Sequence, residues 1–371
     1  MSTISDIKVD YYKLPLIGNL VDALHGKHDH FEIILATVTT SDGTQGVGYT
    51  YTGGIGGVAI AKMLELDLAP KMIGKQLPRL CKHYGYEQFQ KFNLDMNNAI
   101  HYVARGGIAS FVISALDIAI WDASLKESSL AIADIFGTRQ TTVKTYHGGI
   151  DLMLTEKELL ESLEAKLKEG HTRVKIKVGQ ENLSDDIDRV RAVRNLIGPD
   201  AWFAVDANMV MHPDTAIRFA KNIEKYDIAW FEEPTNPDKY KDYAKIATNT
   251  TIPIAMGENL HTAYEHELAF DIGNVKEIIP DCSNVCGITG FLDVAHLAKV
   301  RGLNVNSHGM QELHVNVIGA LDNPGLVEYH SFPIYLYTNE PLIATNGNLV
   351  PSKTPGTGVS FNFEKMEKEK Q

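Results

Sequence analysis

The amino-acid sequence predicts an α/β protein built on a (β/α)8 barrel, preceded by a smaller α+β region. Three observations carry this. From residue 143 onward, eight short apolar runs of strand length recur, nearly all followed by a helical pattern. No glycine-rich phosphate turn follows any of them, which disfavours the doubly wound sheet, the other home of repeated βα units. The length, 371 residues, fits one barrel of roughly 250 residues plus a smaller module, or two to three smaller domains.

Taken in order, residues 5–16 read as a strand. Residues 31–40 and 45–52 alternate apolar and polar around Ser41-Asp42-Gly43-Thr44, a hairpin signal. Gly53-Gly54-Ile55-Gly56-Gly57 looks like a phosphate loop but follows no barrel strand, so it reads as a mobile lid. Helical patterns occupy 57–72, 84–98 and 106–127, the last strongly apolar through Phe111, Ile113, Leu116 and Trp121. The barrel opens with Val143–Gly148. Thr155–Gly170 is an amphipathic helix, with Thr155 and Glu158 as a capping box and Gly170 as the stop. Strands follow at 173–178, 202–206, 228–232, 252–258, 277–281, 303–308 and 326–330, with helices such as 184–197 and 213–225 between them. After 335 the chain is irregular and rich in Pro and Gly. It ends in a charged run, Glu364 to Gln371, expected to be solvated or frayed.

Composition excludes several function classes. Lys and Arg number 35 against 47 Asp and Glu, a net charge of −12, which argues against nucleic acid or an anionic membrane as the main partner. Three cysteines, Cys81, Cys282 and Cys286, make no disulfide framework, so a reducing compartment is expected. Cys282 and Cys286 are spaced like a weak metal pair, but without a second pair they read as small buried residues. The opening MSTISDIKVD has no apolar core of a secretory signal, and no stretch approaches the ~18 apolar residues of a membrane span. A soluble, cytoplasmic protein is the expectation.

Barrel active sites are built at the C-terminal ends of the strands. Here those ends are rich in ionisable groups. Asp206, Glu232 and Glu258 recur one βα unit apart, so three neighbouring strands aim three carboxylates at one point. Converging like charges need a cation, and an all-oxygen set suits Mg²⁺ before Zn²⁺. Lys175 and Lys177 share one face of their strand because side chains alternate with period two. They either pair with the acids as salt bridges or act as a base. A second cation and Mg²⁺ nearby would depress the pKa of such a base toward neutrality, and a Schiff-base role is less compatible with a metal triad. Asp281 and His308 end adjacent strands; an Asp bonded to one imidazole nitrogen frees the other to move a proton. Glu328 ends the last strand, where a protonated carboxyl could donate to a developing oxyanion. A metal flanked by two bases is machinery for removing the proton next to a carboxylate and holding the enediolate.

Lys175-Ile176-Lys177, Asp206-Ala207-Asn208, Trp230-Phe231-Glu232-Glu233-Pro234, Gly257-Glu258-Asn259, Pro280-Asp281, Ser307-His308-Gly309 and Glu328 occur in the order of a known family. The chain resembles the enolase superfamily, and within it the mandelate racemase subgroup, over essentially its whole length. The resemblance implies a modified barrel at 131–335, capped by an α+β domain from residues 1–130 and the returning segment 336–371. It also implies one Mg²⁺ per site, a sugar-acid partner and a homo-oligomer.

A narrower likeness lies in the cap loops and strand ends: His25 to Glu32, Gly48 to Gly54, His101 to Gly107, Gly148 to Asp151 and Ser307 to Val315. These resemble the cycloisomerases that open 3,6-anhydro-L-galactonate. Asn208, His25, His28, Tyr49 and Tyr51 are then candidates to face a polyhydroxylated substrate, although Tyr49 and Tyr51 suit hairpin packing equally well. Cys286 stands where the family usually has glycine, a departure beside Asp281. In the implied reaction, Lys177 or His308 removes the C2 proton and the ring oxygen leaves C3, giving a 2-keto-3-deoxy acid. The same residues would dehydrate an open-chain sugar acid, or racemise one lacking a leaving group. A non-catalytic sugar-acid binder on a decayed barrel is disfavoured by the intact ionisable set.

Overall fold

The computed structural model describes residues 2–80, 85–136 and 140–371. Cys81 and the first residue of the 84–98 pattern lie outside the described residues.

The cap begins with a three-stranded antiparallel meander: β1 (Ile4–Asp22), β2 (Gly26–Thr40) and β3 (Gln45–Thr52). The 41–44 turn joins β2 to β3 as the alternation predicts. Helices α1 (Gly57–Met63), α2 (Ala69–Met72), α3 (Tyr86–Ala99) and α4 (Ile108–Glu127) complete it. Strand β3 lies directly on α4. A Cβ at Gly48 would sit 2.2 Å from the Ala119 nitrogen and 2.3 Å from the Ala115 oxygen, so only glycine permits this approach. Contrary to the sequence expectation, α4 is long and apolar enough to cross a bilayer by length and composition. Yet 89% of its apolar window is buried inside the protein, so it reads as a core helix.

The barrel strands are β4 (Val143–Gly148), β5 (Val174–Lys177), β6 (Phe203–Asp206), β7 (Phe231–Glu232), β8 (Ile254–Met256), β9 (Glu277–Ile278) and β10 (Val327–His330). They pair in parallel in the order β10-β4-β5-β6-β7-β8-β9. Helices α5 (Glu156–Lys168), α6 (Leu183–Ile197), α7 (Pro213–Ile223), α8 (Tyr240–Ala247), α9 (Ala263–Asp271), α10 (Gly287–Lys299) and α11 (Gln311–Gly319) surround them. The capping box of α5 forms between Thr155 and Glu158 as expected, and Gly170 follows with φ +104°.

One predicted strand is not regular. Residues 303–308 close the barrel between β9 and β10, but only Val305 makes bridges, to Ile278 and Pro324. The cause is Asn306. Its side chain accepts the Leu326 N–H at 2.8 Å and donates to Glu277 at 2.9 Å, taking ladder positions that a backbone would fill. The segment still feeds the site, because His308 N donates to Pro280 O at 3.3 Å.

Period-two alternation divides the barrel interior into two layers. Tyr146, Ala204, Trp230, Ala255 and Ile279 form an apolar floor with Trp202 and Leu326. Two residues further along five of these strands stand Gly148, Asp206, Glu232, Asp281 and Glu328.

The C-terminal segment returns to the cap. β11 (Asn348–Leu349) pairs antiparallel with β4. The charged tail is not frayed, which corrects the sequence expectation. It forms α12 (Phe363–Met366), Met366 is fully buried, Lys370 meets Asp10 at 2.7 Å, and Gln371 N donates to Tyr11 O at 2.9 Å. A buried apolar anchor and a paired charge oppose the fraying that composition alone suggests.

Candidate active site

The upper layer of the barrel is a cluster of charges. Lys175 Nζ donates to Glu232 Oε1 at 2.6 Å and lies 3.0 Å from Glu328 Oε1 and 3.4 Å from Asp206 Oδ2. The Tyr146 ring stands beneath it, 5.5 Å away. Lys177 Nζ donates to Asp206 Oδ2 at 2.6 Å, and its backbone N–H is held by Asp151 at 3.0 Å. Burial disfavours both ammonium groups, but the surrounding carboxylates outweigh it and hold both lysines above their ordinary value. The sequence expectation has Lys175 and Mg²⁺ together drawing Lys177 toward neutrality. Lys175 does act in that direction, and Asp206 overrides it.

Asp206, Glu232 and Glu258 each offer an oxygen, and the three lie within 4.8 Å of one another. β6 and β7 aim the first two. Glu258 is aimed by Gly257, at φ +149°, where a Cβ would fall 2.7 Å from the Ile279 carbonyl carbon. Trp230 Nε1 donates to Glu232 Oε2 at 2.9 Å, tying the floor to the charged layer. Burial pushes the Glu232 carboxyl up to about 8; Lys175 opposes this, while Asp206, Glu258 and Glu328 add to the rise. Five carboxyl groups (Asp206, Glu232, Glu258, Asp281, Glu328) crowd around three cations (Lys175, Lys177, His308), and this excess of acid helps to raise the Glu232 carboxyl. An all-oxygen, under-neutralised trio fits a hard divalent cation.

On the other side, His308 Nδ1 meets Asp281 Oδ2 at 3.0 Å, and its Nε2 lies 2.9 Å from Glu258 Oε2 and 3.8 Å from Glu328 Oε2. Burial opposes the imidazolium, but Glu258, Glu328 and the Asp281 hydrogen bond hold it well above its ordinary value. Glu328 also accepts the Gly309 N–H at 2.9 Å. Burial raises its carboxyl, yet Lys175 and His308 bring it well below the usual range. Glu328 is therefore an ionised acceptor here, where the sequence argument expected a protonated donor.

The cap roofs this layer over a cleft of about 610 Å³. Tyr51 OH donates to Asp281 Oδ2 at 2.7 Å, the same oxygen that His308 uses. Its hydroxyl is thus committed to Asp281. Tyr49 does not reach the cleft. It is buried and packs edge-on against Phe361, 5.0 Å between centroids, so its candidacy for substrate contact is withdrawn. His25 and His28 both line the cleft and share Asp22: His28 Nε2 at 2.7 Å and His25 Nδ1 at 3.0 Å from Oδ2. Asn208 lines it as well, with its backbone N–H on Asp206 Oδ1 at 2.9 Å and φ +41°. Gly53 to Gly56 form part of the mouth, and Gly57 N–H is pinned by Glu32 at 2.8 Å. Cys282 and Cys286 are free and buried, as expected. Cys286 has φ +66°, a left-handed conformation that glycine adopts without strain.

Sequence reasoning passed over Asp22, Phe332 and His330. For His330 a signal existed: Glu328-Tyr329-His330 puts both ionisable residues on one strand face.

Residues 158–366 match the family described as "Enolase C-terminal domain-like", and residues 21–137 match "Mandelate racemase / muconate lactonizing enzyme, N-terminal domain". The chain is 37% identical over 363 residues to the 3,6-anhydro-alpha-L-galactonate cycloisomerase of Streptomyces coelicolor, covering 98% of each chain. It is 30% identical to the L-talarate/galactarate dehydratase of Salmonella typhimurium, covering 96% of this chain and 88% of that one. A racemase from Streptomyces coelicolor solved with bound magnesium superposes with a TM-score of 0.94 at 36% identity, over 99% of this chain and 100% of that one. The chain belongs to the enolase superfamily of enzymes, in its mandelate racemase and muconate lactonizing enzyme branch.

Proposed function

We propose that the protein removes the proton next to the carboxylate of a sugar acid and expels the oxygen on the adjacent carbon, with 3,6-anhydro-L-galactonate as substrate and 2-keto-3-deoxy-L-galactonate as product. One observation carries the reading. Lys177, His308 and Glu258 line a single cleft under the cap histidines, and Asp206 and Glu232 converge with Glu258 to within 4.8 Å at its base. The 37% identity to a cycloisomerase of that substrate supports the choice of substrate.

Asp206, Glu232 and Glu258 would hold Mg²⁺, which when bound offsets their charge and that of the substrate carboxylate and so acidifies the C2 proton. The chain's own residues do the rest. Lys177 or His308, deprotonated once the charge of the neighbouring carboxylates is offset, takes the C2 proton, according to the face on which C2 is presented. Asp281 holds the His308 ring by Nδ1, so Nε2 is the nitrogen that exchanges a proton. Tyr51 fixes Asp281. Lys175 balances Glu232 and Glu328 and keeps them oriented. His25 and His28 bind substrate hydroxyls from the cap side, and Asn208 from the end of β6. As the C2–H electrons form the enediolate, the C3–O bond breaks and the ring oxygen takes a proton. The enol then gains a proton at C3 and becomes the ketone. No water is lost, because the leaving oxygen stays attached.

A dehydratase is the second reading, favoured by the 30% identity to an acid-sugar dehydratase. It uses the same groups with a free hydroxyl as leaving group. Mass spectrometry in deuterated water with Mg²⁺ separates the two. A 2-keto product isobaric with the anhydro acid, apart from solvent deuterium, supports the cycloisomerase. Turnover only of open-chain hexonates or hexarates, with loss of water, moves the protein to the dehydratases. No turnover and no C2 exchange with any acid sugar removes both.

A further inference from the structure

We propose that His330 is a substrate-contacting residue, a neutral imidazole whose Nε2–H donates into the cleft beside His308 to a hydroxyl or ether oxygen of the bound acid. The inference rests on the acid-sugar reading above and adds a group to it.

The argument starts from register. Alternation along β10 points Glu328 and His330 to the barrel interior, and His330 lines the cleft. The tautomer follows from one hydrogen bond. The Phe332 backbone N–H donates to His330 Nδ1 at 3.2 Å. A backbone N–H can only donate, so Nδ1 presents its lone pair. A neutral ring must then carry its proton on Nε2. The ring is also wedged. Phe332 meets it edge-on with centroids 4.5 Å apart, and the His308 ring meets it at 5.2 Å and 66°. One nitrogen of His330 lies within 4.8 Å of a Glu328 oxygen and a His308 nitrogen. With Nδ1 taken by the Phe332 N–H, Nε2 is the ring nitrogen left for the cleft that His330 lines.

Its electrostatics suit the role. Burial, and the charges of His308, Lys177 and Lys175, push the imidazole down to about 3, with Glu328 opposing. A fourth cation here would compete with His308 and the lysines for the same carboxylates. A neutral donor adds a directed hydrogen bond without adding charge. The oxygen that it binds lies on the His308 side, where a hydroxyl or the ring ether of a sugar acid would sit as His308 exchanges its proton.

The test pairs kinetics with spectroscopy. His330→Leu removes the donor, and His330→Gln keeps an amide N–H near the same place. His330→Leu should lower kcat/KM by about 10- to 100-fold, with His330→Gln recovering a substantial part. Both variants should bind Mg²⁺ like wild type. Nitrogen-15 spectra of histidine-labelled wild-type protein should show a neutral Nε2–H imidazole for His330 from pH 5.5 to 8.5. An imidazolium, or the Nδ1–H form, overturns the proposal before any substrate is added. An active wild type whose kcat and KM are unaltered in His330→Leu overturns the substrate contact alone. A wild type inactive on every acid sugar overturns the reading beneath the proposal and the contact with it.

Discussion

Two regions of this protein bury carboxyl groups equally well, and only one of them sets cations beside them. In the cleft, Asp281 and Glu328 are kept ionised because His308 and Lys175 lie at 3.0 Å from them. Behind the cleft, Glu312 on α11 and Asp117 on α4, the latter facing α10 and α3, have no such neighbour. Burial pushes Glu312 up to about 8. It pushes Asp117 up to about 7, against hydrogen bonds from Thr289 and Asn93. Glu312 lines a second cavity of about 720 Å³ that holds none of the cleft groups. Its two carboxyl oxygens have no hydrogen-bond partner among the described residues. Burial alone does not mark a working carboxylate; burial with a cation in reach does.

The largest effect that tests this contrast is loss of a cleft cation. Lys177→Met and His308→Asn should each lower turnover by about 10³-fold or more. The variant lacking the abstracting base should also lose exchange of the C2 proton with solvent deuterium, while the other keeps it. Turnover within tenfold of wild type in both would break the assignment of the cleft.

Metal removal comes next. A chelator should abolish turnover and Mg²⁺ should restore it. Saturating Mg²⁺ should raise Tm, since ligand at 100 times its Kd adds about 2.7 kcal/mol of stability. Glu258→Gln should lose most of that rise. A Tm that ignores Mg²⁺ in the wild type would contradict the oxygen trio as its site.

A smaller effect is expected at Tyr51. Tyr51→Phe removes one of the two donors to Asp281 Oδ2 and leaves the His308 bond intact. kcat should fall by roughly 5- to 50-fold with KM little changed, because the hydroxyl orients the dyad and does not bind substrate. A rise in KM at unchanged kcat would instead make Tyr51 a substrate contact.

The smallest effect lies behind the cleft. The Glu312 carboxyl sits at about 8 in the fold against an ordinary 4.5, so the native state holds a proton that the unfolded chain releases. Its contribution to stability is full below about pH 4.5 and is lost as pH rises toward 8. Glu312→Gln removes that loss. The variant should match wild type at pH 4 and gain over it toward pH 8.5, at about 2 °C in Tm per kcal/mol. A difference independent of pH would show that Glu312 is paired in solution.

The cleft was the more legible region. Lys175, Lys177, Asp206, Glu232 and Asp281 stand at strand ends, and strand alternation alone turns them inward. The rest was hidden for specific reasons. Tyr49 and Tyr51 share a strand face, and only the position of Asp281 separates the packed ring from the bonded one. Residues 303–308 carry a strand pattern, but the Asn306 side chain breaks the ladder. Glu328 looks like a proton donor until Lys175 is seen beside it. The tail reads as solvated until Met366 finds its pocket and Lys370 its Asp10.

By itself the sequence determined the barrel class and the charges at its strand ends, because alternation and βα spacing are local properties. It also determined the capping box at Thr155 and the hairpin at 41–44, which are set within a few residues. Only the tertiary structure decided which charges are paired, which carboxyls stay neutral, and which cap residues reach the cleft. Those outcomes depend on distances of a few ångströms between residues far apart in the chain, and Coulomb energy and desolvation are steep functions of such distances.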